Sequence, residues 1–311
     1  MMTLRKDRLS LAMVGLGDCA DVRDTSARGL IEWIGSRGVR FVQLDATMAG
    51  LRARELGRSA RRDIAALVKR VGLSITGLDL WIPASHFADN VNQQRAIDAT
   101  IGACELAAEL RSIGGVGGHE AGFGVSLALH EETPGAVLDA IGAAASRAGV
   151  FVLDHAWPMR SVASDSPIRV GIDPAVLIAA GASVAEAVLS ASPAPAAFRL
   201  SDLAAIGRVA PDEGTLDLAG YDIALTTINW GGAGTLGIPG PRGSAAGDRG
   251  VQRASDSAPA AGVGKEEAVE GGKSPVRVRV GPALDRGARV GGPPAVHRAD
   301  GRGVHRQPAR L

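Results

Sequence analysis

The chain has 311 residues, 46% of them hydrophobic and 22% charged, with a formal net charge of +1. That length supports a sizeable core in one large domain or two ordinary ones, and the charge balance gives no reason to expect nucleic acid or an anionic membrane as a partner. Two cysteines, Cys19 and Cys104, are too few for a disulfide framework or a thiolate metal site, and no apolar run approaches the ~20 residues that span a bilayer, so a soluble, cytoplasmic protein is expected.

Arg5, Lys6 and Arg8 precede an apolar stretch from Leu9 to Leu16, which has the outline of a secretory signal. The stretch is short, glycines at 15 and 17 interrupt it, and Asp18 stands directly before Cys19 where a small residue would be wanted. A buried first strand is the better reading. A helix over 25–36 follows, then a second strand over Val39–Asp45. Ser59 is placed to cap a helix running to Arg70, with Ile64, Leu67 and Val68 on one face and Gly72 as its stop.

The third strand lies within Leu73–Pro83, and a long alanine-rich helix covers 92–110. After a glycine-rich loop holding His119, a fourth strand is expected over Val125–His130, a helix over 136–147 and a fifth strand over Val150–His155. The sixth strand, Ile168–Asp173, leads into a short helix that begins well with Pro174. Ala196–Asp202 makes the seventh, and a last helix covers 216–230.

Seven strands alternating with helices predict a parallel α/β sheet. The strand count, without a nucleotide-binding glycine fingerprint after the first strand, favours a TIM (β/α)8-type barrel over a doubly wound sheet. The eighth strand is missing from this reading. Its place is taken by Gly231-Gly-Ala-Gly-Thr-Leu-Gly-Ile-Pro239, and so much glycine with a terminal proline makes a weak strand.

Composition breaks at the same point. All ten aromatic residues lie at or before Trp230, and residues 231–311 hold 18 Gly and 8 Pro and carry a net charge of +6 against −5 for residues 1–230. Such a segment buries too little apolar surface to offset its ordering entropy. The expected organisation is an incomplete barrel over 1–230 and a mostly disordered tail over 231–311. The abrupt switch matches what a GC-rich coding sequence gives in a shifted reading frame. A barrel one strand short would leave two open edges through which copies could self-associate.

Six strands end in an acidic residue: Asp45, Asp79, Glu131, Asp154, Asp173 and Asp202. In a parallel barrel these ends open onto one face, where active sites lie. Packed carboxylates raise one another's pKa and invite a divalent cation or a cationic ligand, although each Asp taken alone reads as a cap for the turn after it. His86, His130 and His155 follow or flank these ends, which adds the nitrogen donors of an Mn, Mg or Zn site or an acid/base group. Arg199 on the seventh strand and Arg208 after it can clamp a phosphate or carboxylate bidentately, or neutralise Asp173 or Asp202.

Several motifs carry a resemblance. Gly38-Val-Arg-Phe-Val-Gln-Leu-Asp45, Gly72-Leu-Ser-Ile-Thr-Gly-Leu-Asp-Leu80, Val170-Gly-Ile-Asp-Pro174 and Arg199-Leu-Ser-Asp202 with Gly214-Thr-Leu-Asp217 resemble the sugar phosphate isomerase/epimerase family of xylose-isomerase-like TIM barrels, over roughly residues 9–230. The resemblance implies a divalent metal held at strand ends by two glutamates, an aspartate and a histidine, and proton transfer between adjacent carbons of a ketose. Asp173 matches the family aspartate, and Asp154 takes the place of the first glutamate. Arg199 stands where the ligand histidine is expected, and the second glutamate has no counterpart.

The expected function is therefore isomerisation or epimerisation of a sugar or sugar phosphate next to a carbonyl. Asp154 and Asp173 would serve a metal, and His155, His86 or Glu131 would move protons. Arg199, Arg208, Asp45, Asp79 and Asp202 would hold substrate. The alternative is a degenerate, non-catalytic barrel that binds a sugar-like ligand or has lost function.

Overall fold

The computed structural model describes residues 9–19, 21–114 and 123–237. The expected tail beyond 237 and His119 lie outside the described residues. Eight parallel strands form a closed barrel: β1 (Leu9–Ala12), β2 (Phe41–Asp45), β3 (Ser74–Asp79), β4 (Gly124–Leu127), β5 (Phe151–Asp154), β6 (Ile168–Ile172), β7 (Ala197–Leu200) and β10 (Gly234–Leu236). Helices α1 (Ala27–Ser36), α2 (Arg58–Arg70), α3 (Gln93–Ile113) and α4 (Gly135–Ala148) follow β1 to β4 in turn. The short α5 (Pro174–Ala179) and α6 (Val184–Ser190) separate β6 from β7, and α7 (Leu218–Thr227) precedes β10. A small antiparallel hairpin, β8 (Asp202–Ala204) with β9 (Gly207–Val209), stands outside the barrel sheet.

The barrel closes, which corrects the expectation of a missing eighth strand. Thr235 pairs with Ser10 of β1 on one side and with Arg199 of β7 on the other. The strand lies past the expected domain boundary at 230, inside the glycine-rich stretch. Glycine lowers intrinsic strand preference, but a three-residue strand between two waiting edges is held by backbone hydrogen bonds on both sides. Closure also pairs the two edges through which self-association was expected.

Local signals set most boundaries. Ser26 caps α1 by accepting from the Gly29 amide, Ser183 caps α6 and Asp217 caps α7. Helices α3 and α4 end on left-handed glycines, Gly114 and Gly149, the conformation in which a side chain is penalised. The α2 cap is Gly57 and not Ser59, because the helix begins one residue before that serine. Outside the barrel, α2 and α3 are tied by Arg61 donating to Glu109 at 2.6 Å.

Apolar packing falls into two clusters. One joins the outward faces of β1–β5 to α1–α4 through residues such as Leu30, Ile34, Leu67, Leu106 and Ile141. The other, smaller one joins β6 and β7 to α5–α7 around Val170, Ile172, Leu177, Phe198 and Tyr221. In it Trp230 meets Phe198 edge-on, with ring centroids 4.6 Å apart.

Candidate functional site at the C-terminal mouth

The centre of the site is Arg199. Strand β7 aims its guanidinium across the barrel, where Nη2 donates to Asp79 Oδ1 at 2.5 Å and Nη1 to Asp173 Oδ2 at 3.2 Å. Arg208, on β9, grips the same Asp173 bidentately at 3.0 and 3.1 Å, and the Ser201 hydroxyl donates to its Oδ1 at 2.6 Å. Tyr221 from α7 donates to the Arg199 carbonyl at 2.9 Å and so fixes the β7 backbone. Two buried carboxylates and two guanidiniums thus form one compact ionic layer.

The charges respond as the geometry requires. Burial pushes the Asp79 carboxyl up to about 6, against the pull of Arg199, with Asp45 and Asp173 adding to the rise. Burial also works to raise Asp173, but the adjacent Arg208 and Arg199 outweigh it and hold that carboxyl well below the ordinary range. His155 is pushed down to about 3, first by burial and then by the Arg199 charge, so it is neutral.

Under this layer lies a hydroxyl-rich network that strand alternation turns inward. Gln43 Nε2 donates to Asp79 at 3.1 Å and to Ser126 Oγ at 3.0 Å, while its Oε1 accepts from Thr235 at 2.6 Å. His155 Nε2 lies 3.2 Å from Ser126 Oγ. The imidazole lies against Gly171, where an added Cβ would come within 2.5 Å of the ring. The network fixes the barrel's polar interior, and Gln43, Ser126, Ser201 and Thr235 escaped the sequence reading. For Gln43 and Ser126 the sequence signal is a polar residue at the inward position of a strand, whereas Ser201 lies just after β7 and Thr235 within the glycine-rich stretch.

The remaining expected residues do other work. Asp202 is buried and accepts from the amides of Leu203, Gly214 and Leu216 at 2.7–2.9 Å, so it organises the loop after β7. Asp45 accepts from the amide and hydroxyl of Thr47, a local turn. Asp154 accepts from the amides of Leu129 and Ala156 and sits 3.5 Å from Arg160 Nε, and burial raises its pKa. Glu131 is exposed on the loop after β4, and His86 is half-buried on the turn after β3.

These placements do not fit the expected metal. Asp154 faces backbone amides, Asp173 is fully engaged by two guanidiniums and a hydroxyl, and β10 supplies only Thr235 to the interior. Among the described residues no cluster of three His, Cys, Asp or Glu side chains could hold a metal ion. A guanidinium occupies the space between the carboxylates that a cation would need.

At the rim, Trp81 follows β3 and is 41% exposed. The Arg199 and Arg208 guanidinium carbons lie 5.1 and 5.6 Å from its ring centroid, within cation–π range. On the opposite side of the ionic layer, a cavity of about 280 Å³ extends down the barrel axis toward the N-terminal strand ends.

No family model matches the chain, and no curated protein matches it. Solved structures share the fold. A D-psicose 3-epimerase from Clostridium cellulolyticum H10, solved with D-tagatose, is 12% identical with a TM-score of 0.56, over 76% of this chain and 88% of that one. An L-ribulose 3-epimerase is 15% identical with a TM-score of 0.52, over 75% of this chain and 81% of that one. A xylose isomerase domain protein from Planctomyces limnophilus is 14% identical with a TM-score of 0.52, over 75% of this chain and 90% of that one. The chain shares the TIM-barrel fold of these structures.

Proposed function

We propose that this barrel binds a sugar or sugar phosphate at its C-terminal mouth, and that its polar layer is built to hold the ligand rather than to isomerise it. The observation that carries the reading is the exposed Trp81 flanked by two guanidiniums. An indole face stacks on the apolar side of a sugar ring, and the guanidiniums that hold Asp79 and Asp173 place a polar layer beside it. The epimerase fold of the structural neighbours supports the same ligand class.

Proton transfer next to a carbonyl needs a base that reaches the substrate. Asp173 is held ionised and fully bonded, and Asp154 is turned to backbone amides. One feature favours catalysis as a second reading. Asp79, with a pKa near 6, would exchange a proton close to neutral pH if ligand binding drew Arg199 away from it.

Calorimetric titration with ketoses and ketose phosphates, alongside a turnover assay with and without added Mn, decides between the two. Binding without turnover, weakened in Trp81→Ala and Arg208→Ala, is the expected result. Turnover that disappears in Asp79→Asn would establish the catalytic reading instead.

A further inference from the structure

We infer that the barrel lumen is a second binding site, entered from the end opposite the mouth, for an uncharged hydroxylated molecule up to monosaccharide size. TIM-barrel interiors are ordinarily filled by layers of bulky branched side chains. Here many inward positions are small or hydroxylated: Ser10, Thr76, Ser126, Gly171, Ala197 and Thr235. The unfilled space is the cavity of about 280 Å³. An engineered cavity of ~150 Å³ holds benzene, so this one has room for a molecule of roughly twice that bulk.

The position of the cavity separates it from the mouth. Its lower wall comes from Pro195–Ala197, at the start of β7, and from Trp230–Ala233, just before β10. Both segments lie at N-terminal strand ends. Its upper boundary is Gln43, Ser126, His155 and Arg199, the underside of the ionic layer. Trp230 and Leu153 supply apolar wall beside these polar groups, the mix that small-ligand sites show.

The chemistry of the lining selects the ligand. Hydroxyls of Thr76, Ser126 and Thr235, the Gln43 amide and the His155 ring offer both donors and acceptors. Their residues line the cavity together, and Gln43, Ser126 and His155 are almost wholly buried. The positive charge of Arg199 is already matched above by Asp79 and Asp173, so the site has no uncompensated charge to draw an ion out of water. A polyol can satisfy such a surface, whereas a phosphate would be left unpaired. This inference is independent of the mouth: it uses neither Trp81 nor Arg208.

Xylitol, uncharged and five carbons long, is the probe. Full-length protein is titrated by calorimetry and by tryptophan fluorescence, because Trp230 lines the cavity. The expected result is saturable binding that survives Trp81→Ala but weakens at least tenfold in Ala197→Leu, whose larger side chain takes up space in the lumen. Thr235→Val keeps the volume and removes one hydroxyl, and should weaken binding roughly three- to tenfold; it stands in if Ala197→Leu fails to fold. Absence of xylitol binding overturns the inference. So does binding that Trp81→Ala abolishes and the lumen variants leave unchanged. That last outcome would leave the mouth reading intact, whereas a mouth that ignores sugar phosphates would leave the lumen result untouched.

Discussion

The two halves of the barrel are built differently. Strands β1–β5 are backed by helices of 10 to 21 residues and by one extended apolar cluster. Strands β6, β7 and β10 are backed by helices of 6, 7 and 10 residues, with a small cluster that depends on Phe198, Tyr221 and Trp230. The weaker half also closes the barrel through the three-residue β10. What joins the halves inside is polar: Arg199 of β7 bonds Asp79 of β3, and Thr235 of β10 bonds Gln43 of β2. The candidate site is therefore also the clasp of the barrel, and a substitution there should act on stability as well as on binding.

Arg199→Met tests this most severely. It leaves Asp79 and one oxygen of Asp173 without their cation in a buried setting, and should cost about 3–5 kcal/mol, read as a shift in the urea midpoint. A loss under about 1 kcal/mol would mean that apolar packing alone joins the halves.

Acid should act on the clasp in two opposite senses. His155 has its pKa lowered from 6.5 to about 3 in the folded chain, so the unfolded chain binds the extra proton and stability falls as pH drops from about 6.5 toward 3. Asp79 acts in the opposite sense. Its pKa is raised from 3.8 to about 6, so its contribution is lost as pH rises through that window and regained on acidification. Thermal melts from pH 7 to 4 should therefore depart from the parent profile in opposite senses, with Tm better kept on the acid side in His155→Gln and more readily lost there in Asp79→Asn. Identical slopes in all three proteins would contradict the burial of both groups.

A finer probe is Tyr221→Phe, which removes only the hydroxyl that donates to the Arg199 carbonyl. It should cost about 1 kcal/mol, and the Ser36→Ala change on the exposed end of α1 should cost less than half of that. Equal costs would remove the special dependence of the second half on its few contacts. Trp81→Ala should be the mildest for stability, within about 0.5 kcal/mol as for other partly exposed positions, while lowering sugar phosphate affinity roughly tenfold. Chemical denaturation and calorimetry on the same sample separate the two effects.

The legibility of the site followed burial. Asp79, Asp173, Arg199 and Arg208 were all visible as charged residues at or near strand ends, and the structure brings them together. Asp45, Asp154 and Asp202 carried the same signal and turned out to bind local or loop amides, because a short carboxylate at a strand end meets the next turn before it meets the barrel axis. Gln43, Ser126 and Thr235 carried almost no signal, since their role depends on partners 36 to 192 residues away.

By itself the sequence determined the alternation of strands and helices, the parallel barrel, most helix ends and the convergence of charge on one face. These follow from periodicities and caps that act over a few residues. Only the tertiary structure decided three things. It decided that Gly234–Leu236 closes the barrel, because the strand is stabilised by β1 and β7 and not by its own composition. It decided that Arg199 occupies the space between Asp79 and Asp173, which is a matter of which side chains face each other across the axis. And it decided that the lumen is left unfilled, since a cavity is what remains after distant walls are set, and no local run of residues encodes it.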